Sequence, residues 1–365
     1  MHYSWFKETD NASRVSQKRV FKTTDIVKRA GVLPPHRFHV RNYPIDNPVA
    51  LFNPAIEFAP GGSEYIAVYA RLVLGYYMYV SALARIDMTL SDIYEGNVSL
   101  SHYSGELIVL PSTRYDIWGV EDPRVTIIEG RYYLTYVGRT VNYFNPAIRQ
   151  ERTVPVVAVG NGINEWEKKY VFLLPGEHRR NTVSNKDAFI VKTREGHILL
   201  FHRPHMRDEK FYMVVSRVNE HLPEIKGEGP VEIIVEDAWV TMFEAEFEKK
   251  IGWSTPPIEI KPNLYLMIVH GIDKYIEGYR AFAVLLEYHK DTGPRIVAVT
   301  REYIMEPRTS YEVYGDRPYV VFPCGLVRIS KSEAIISYGA ADYVMGFGII
   351  DLDMLLSMLD DNMIE

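Results

Sequence analysis

Short apolar runs alternate with clusters of Gly, Pro, Asn and Asp along most of the chain. Leu51–Phe58, Glu64–Leu72, Tyr77–Arg85, Arg131–Arg139, Val154–Gly160, His197–Arg203, Phe211–Val218, Leu264–Gly271, Ala281–Tyr288 and Ala334–Ala340 are such runs. Each has strand length, is rich in Val, Ile, Tyr and Phe, and stops at turn-forming residues. The pattern predicts many short antiparallel strands. Helical spacing is confined to about Thr24–Ala30 and Asp351–Leu359. The fold class is therefore expected to be all-β.

The runs also repeat. A polar or proline-bearing motif opens an apolar strand at Asn53, Asp122, Asp187, Pro257 and Pro323, at separations of 69, 65, 70 and 66 residues. A following strand ends in a polar group at Arg71, Arg139, Arg203, His270 and Asp342, spaced by 68, 64, 67 and 72 residues. Five units, each with room for four strands, predict a five-bladed β-propeller. An open solenoid usually has shorter repeats and needs capping units, which the sequence does not offer. The expected layout is an N-terminal extension over residues 1–40, a propeller over 41–350 and a helix or tail over 351–365. In a propeller, equivalent strand ends meet at one mouth of the channel, so these polar residues are candidates for one pocket. Taken singly, each is as readily a turn cap.

Composition narrows the function classes. The single cysteine, Cys324, leaves no disulfide framework and no multi-cysteine metal site. A net charge of −6 without a basic run argues against nucleic acid as a partner. No apolar run reaches the roughly 18–20 residues that cross a bilayer, and Met1–Lys22 is too polar for a signal peptide, so a cytoplasmic protein without membrane attachment is expected. Two glutamines against 26 tyrosines hint at a thermophile source. The sequon Asn97-Val-Ser99 carries no weight without secretion.

The densest chemistry is Gly119-Val-Glu121-Asp122-Pro123-Arg124. Side chains alternate along a strand, so one carboxylate can enter the channel while the other braces the wall. Arg124 could hold a carboxylate in place; the plain alternative is a structural Asp-Pro turn with an ion pair. Lys186-Asp187 falls at the matching point of the third unit, although such a pair is more often a surface pair when the repeat is ignored. The His202-x-x-His205 spacing lacks a convincing third ligand and has Arg203 beside it, so no metal is expected. Small residues in Tyr338-Gly-Ala-Ala-Asp342 would let a ligand approach the backbone closely.

Eight motifs, in order, carry a resemblance: 119–124, Lys186-Asp-Ala, His202-Arg-Pro, Lys250-Ile-Gly…Pro-Pro-Ile258, His270-Gly, Glu306-Pro…Tyr-Glu…Gly315, Val320-Val-Phe-Pro-Cys-Gly325 and 338–342. From about Asn53 to Asp342 the chain resembles glycoside hydrolase family 130, whose members are mostly β-mannoside phosphorylases and in part β-1,2-mannosidases. The resemblance implies a five-bladed propeller and an inverting enzyme with no cofactor, which takes a β-mannoside and inorganic phosphate as co-substrate. Asp122 would be the general acid, relaying its proton through a mannose hydroxyl. Lys186 and Arg71 would bind phosphate, with Arg139, His202 and Arg203 beside them. Asn53, Asp187 and Asp342 would hold mannose, and Glu121, Arg124, His270 and Tyr338 complete the expected sugar site. One departure stands out. Many phosphorylases carry an arginine before the third strand of the second blade, where this chain has Val154; Arg139, Arg149 and Arg152 are the candidates to replace it.

The expected reaction is phosphorolysis of a short β-1,2- or β-1,4-mannoside to α-mannose 1-phosphate, a hexosyl transfer to phosphate. The alternatives are a β-1,2-mannosidase using Glu244 or Glu246 as base, and a non-catalytic sugar-binding propeller. The segments expected outside the propeller could also join copies into a homo-oligomer.

Overall fold

The computed structural model describes residues 6–218, 222 and 229–364. Its strands form five sheets arranged as the blades of a propeller. The inner strands are Ala50–Phe58, Val120–Ile128, Thr182–Lys192, Glu248–Trp253 with Ile258–Lys261, and Val321–Arg328. Outward from each run further strands, mostly antiparallel. The second strands read as continuous apolar runs because they are buried on both faces, between two neighbouring blades. Large apolar clusters fill these seams. Leu51, Ile66 and Val68 pack with Ile335 and Phe347 between blades 5 and 1, and Phe189 and Phe201 pack with Trp253 and Met267 between blades 3 and 4. The cluster joining the last blade to the first makes a closed ring, which a solenoid would lack.

The N-terminal segment does not lie outside this ring. Lys28–Leu33 pairs with Val344–Asp351 and supplies the fourth strand of blade 5. Lys7–Glu8 adds a parallel edge to blade 3, and Phe38–Val40 does the same for blade 1. The helix expected at Thr24–Ala30 is absent, because Thr24 and Ile26 donate to the carbonyls of Tyr303 and Ile304 and Lys28–Ala30 join the blade 5 edge strand. At the other end a helix over Leu352–Asp360 forms as its spacing predicts, capped by the Asp351 side chain. It buries Leu352, Leu355 and Leu359 against blades 4 and 5. No helix among the described residues is long and apolar enough to cross a membrane.

Three of the five inner strands share a device at the mouth. Asn53, Asp122 and Asp187 have φ of 49°, 48° and 54°, and in each case the pairing with the next strand slips at that point. Such a bulge re-aims a side chain, and Asn and Asp are the residues that tolerate the left-handed conformation best. Three repeat openers are thereby turned towards the channel. Blade 4 breaks the rule, since its inner strand is interrupted between Trp253 and Ile258. Pro257 lies within that break, and Lys250 is the residue of this strand that reaches the mouth.

Candidate active site

A cavity of about 510 Å³ opens at the mouth of the channel. Asn53 and Arg71 of blade 1, Asp122 of blade 2, and Lys186, Asp187 and Arg203 of blade 3 line it, and Asp342 of blade 5 completes the wall. The register argument therefore brings seven expected residues together. Its volume falls in the range of small-ligand pockets, roughly 300–1,000 Å³.

Asp122 is the centre of the polar network. Its Oδ1 accepts hydrogen bonds from Asn53 Nδ2 at 2.7 Å and Arg71 Nη1 at 3.0 Å. Gly339 makes this possible, because a Cβ there would stand 1.8 Å from Asn53 Oδ1. The small residues near Asp342 thus receive a protein side chain rather than a ligand. The neighbouring Glu121 is fully buried and braces the wall, as strand alternation predicts. It accepts from Arg71 at 2.9 Å and Lys186 at 3.2 Å, lies 3.5 Å from Arg139, and takes the Tyr143 hydroxyl at 2.9 Å. Burial alone would raise the Glu121 pKa, but Arg71, Lys186 and Arg139 outweigh it and hold the carboxyl down at about 2. The same contacts raise Lys186 despite its burial, so its ammonium stays charged.

On the opposite side Arg203 binds Asp187 through Nε, and this outweighs burial to hold Asp187 at about 2. Asp342 behaves differently. Burial, with Asp122 adding repulsion and Arg71 opposing it, lifts its carboxyl to about 6. The cavity thus presents one carboxylate locked by an arginine and another poised near neutrality.

A family model described as beta-1,4-mannooligosaccharide phosphorylase, that of glycoside hydrolase family 130, matches residues 17–361. The chain belongs to family 130. It is 27% identical over 241 residues to a 1,2-beta-oligomannan phosphorylase of Thermoanaerobacter sp. (strain X514), covering 66% of this chain and 71% of that protein. A beta-1,2-mannobiose phosphorylase of the same organism is 30% identical over 237 residues, 65% of this chain and 68% of that one. Among solved structures, a beta-1,2-mannobiose phosphorylase from Listeria innocua superposes with a TM-score of 0.70 at 16% identity, covering 92% of this chain and 99% of that one. It shares the fold.

Not every residue expected at this family 130 site reaches the cavity. His202 is buried in blade 3 between Asn185 and Ser216, and burial lowers its pKa to about 3, so it is a neutral wall residue. Tyr338 is buried with its hydroxyl on Glu312 at 2.8 Å, away from the mouth. Arg124 makes no ion pair with a carboxylate among the described residues. It donates to the backbone carbonyls of Ser254, Asp122 and Pro123, and so ties blade 2 to the broken inner strand of blade 4 beneath the cavity. His270 is bonded to Ser254 Oγ at 2.9 Å and stands behind Asp187, its Nε2 3.5 Å from that carboxylate. Arg139 is 1% exposed and stacks 3.4 Å over the Tyr143 ring, a step behind the cavity surface. Val154 is buried in the wall, Arg149 pairs with Glu209 outside, and Arg152 caps the carbonyls of Asn142, Tyr143, Asn145 and Ile148. Arg149 and Arg152 do not stand in for a missing arginine, Arg139 reaches Glu121 from behind the cavity surface, and Glu244 and Glu246 are exposed and do not line the cavity.

Sequence reasoning missed Tyr143 and Phe144, which a loop between two strands of blade 2 brings into the cavity wall, and Lys250 and Arg317 on the far side. Met78 and Tyr79, read as part of a strand, instead form a loop at the mouth where Tyr79 donates to Asp316 at 2.7 Å. Lys250 sat inside a quoted motif, yet nothing in its spacing marked it as facing the cavity.

Proposed function

We propose that the chain cleaves β-mannosides by inverting phosphorolysis. The observation that carries this reading is the pair Arg71 and Lys186, brought from different blades to the cavity beside Asp122. Family membership and phosphorylase relatives support the same reading. Arg71, Lys186 and Arg139 share Glu121, and Arg71 also pairs with Asp122, so three cations face two carboxylates and leave positive charge for an anion, which water activation would not require.

In this mechanism a phosphate oxygen attacks the anomeric carbon of the terminal mannosyl unit from the face opposite the leaving oxygen. The glycosidic C–O bond breaks, and the proton of Asp122 passes to the leaving oxygen, directly or through a mannose hydroxyl. Inversion of a β-linkage yields α-mannose 1-phosphate and an acceptor one sugar shorter. Arg71 and Lys186 hold the dianion in line, and Asp187 and Asp342 hold mannose hydroxyls. Glu121 is too enclosed by donors to act as a base.

One observation favours a hydrolytic second reading: Asp342, lifted to about 6, is suited to activate water opposite Asp122. Product analysis on β-1,2- and β-1,4-mannobiose, each with and without phosphate, separates the two. Phosphorolysis predicts α-mannose 1-phosphate that appears only with phosphate. Free mannose released at the same rate without phosphate would establish hydrolysis instead.

A further inference from the structure

The wall of the cavity formed by blades 3, 4 and 5 carries charge that this mechanism does not use. Arg203, Lys250 and Arg317 all line it. The Nη1 of Arg203 is buried without a hydrogen-bond partner, on a side chain only 6% exposed. Lys250 Nζ lies 5.0 Å from the Phe211 ring centroid, and the Arg203 guanidinium faces the same ring at 5.1 Å. Among the described residues Lys250 makes no ion pair, while Arg317 stacks 4.5 Å over Tyr279 and donates to its hydroxyl at 3.2 Å. Among the described residues the carboxylates nearby meet this cluster only in part. Asp187 pairs with Arg203 through Nε, and Asp316 and Asp342 also line the wall, which leaves Lys250 without an ion pair. Burial, with Arg203, Lys186 and Arg317 adding repulsion and Asp187 opposing it, brings Lys250 down to about 7.

Neutral sugar hydroxyls give no reason to bury a lysine without an ion pair beside an arginine nitrogen that lacks an acceptor, whereas a ligand that brings its own negative charge serves both. We propose that Arg203, Lys250 and Arg317 form an oxyanion subsite for an acidic group, a carboxylate or phosphate ester, carried on the acceptor part of the substrate. The acceptor placement rests on the phosphorolysis reading: in-line displacement puts phosphate and leaving group on opposite faces of the anomeric carbon. With phosphate at Arg71 and Lys186, and the proton of Asp122 relayed through a mannose hydroxyl, the acceptor is directed towards the other wall.

The test is calorimetric binding of mannose, mannose 6-phosphate, mannuronate and inorganic phosphate at pH 6, to the wild type and to Lys250→Met, Arg317→Gln and Lys186→Ala. Thermal unfolding of each variant checks that it is folded. One charge-assisted contact is worth enough that the two acidic sugars should bind the wild type about tenfold or more tightly than mannose. That preference should collapse in Lys250→Met and Arg317→Gln, survive in Lys186→Ala, and weaken above pH 7 as Lys250 loses its proton. Inorganic phosphate should depend on Lys186 and little on Lys250. Equal binding of neutral and acidic sugars overturns the subsite. So does a loss of inorganic phosphate in Lys250→Met as large as in Lys186→Ala, since the cluster would then belong to the nucleophile. Because binding needs no turnover, an acidic-sugar preference in a protein that phosphorolyses no β-mannoside would overturn the phosphorolysis reading and leave the anion site standing.

Discussion

Lys186 and Lys250 line the same cavity, and each stands near an arginine and an aromatic ring, yet their surroundings push them in opposite directions. Lys186 reaches a buried glutamate and is held charged, while Lys250 makes no ion pair among the described residues and is brought to about 7. The difference lies in counter-charge rather than depth. Glu121 ties Lys186, Arg71, Arg139 and Tyr143 together, so the geometry of that wall is set before any ligand arrives. The wall around Lys250 has no such partner and depends on what binds. A pocket can thus hold a preorganised half and a ligand-completed half built from the same residue types.

The largest expected effect lies at Asp122, beside the Lys186 wall. Asp122→Asn keeps the shape but removes the proton, and turnover should fall about 10²–10⁴-fold with unchanged thermal unfolding. Activity kept within tenfold would take Asp122 out of the acid role. Glu121→Gln removes the counter-ion from three cations in a wall where it is fully buried. Breaking such a network costs about 3–5 kcal/mol, so the denaturant midpoint should drop clearly. An unchanged midpoint would mean that the wall is not organised by Glu121. Lys186→Ala should raise KM for phosphate about 10-fold or more and that for the mannoside far less, and sulfate should compete with phosphate in the wild type.

The smallest expected effect concerns Asp342. Its pKa is raised in the folded chain, so the proton is held more tightly there than in the unfolded chain. Its contribution favours folding at low pH and is lost as pH rises from about 4 through about 6. Asp342→Asn should therefore raise the melting temperature at pH 7, with the gain vanishing below about pH 4. A gain that does not change with pH would show that burial of this carboxyl is not the cause.

The ring was legible in the sequence because its units are local: a turn, an apolar run and a polar end recur wherever a blade is built. The mouth was legible for a related reason, since Asn53, Asp122 and Asp187 occupy bulges that only a few residue types accept. Depth was not legible. His202, Arg124, His270 and Tyr338 have the expected register, but spacing along a strand does not say whether a polar group faces the cavity or a neighbouring blade. Blade 4 was misjudged by seven positions, because the break before Ile258 moves the mouth-facing residue from Pro257 back to Lys250. The edge strand Lys28–Leu33 was missed because its partner, Val344–Asp351, lies at the far end of the chain.

That pairing has a consequence for how the protein is made. Lys28 pairs with Ile349, so the seam that completes blade 5 waits until more than 300 further residues have been synthesised. At about 5–20 residues per second, this leaves an early segment without its partner for roughly 16–60 s on the ribosome. Four blades can begin to gather in that interval, but the last remains one strand short, with the ladder of Val344–Asp351 still to come. Nascent chains stalled before residue 344 should accordingly stay open to proteases around Lys28–Leu33, and release of the finished chain should bring protection to that segment and to Val344–Asp351 at once.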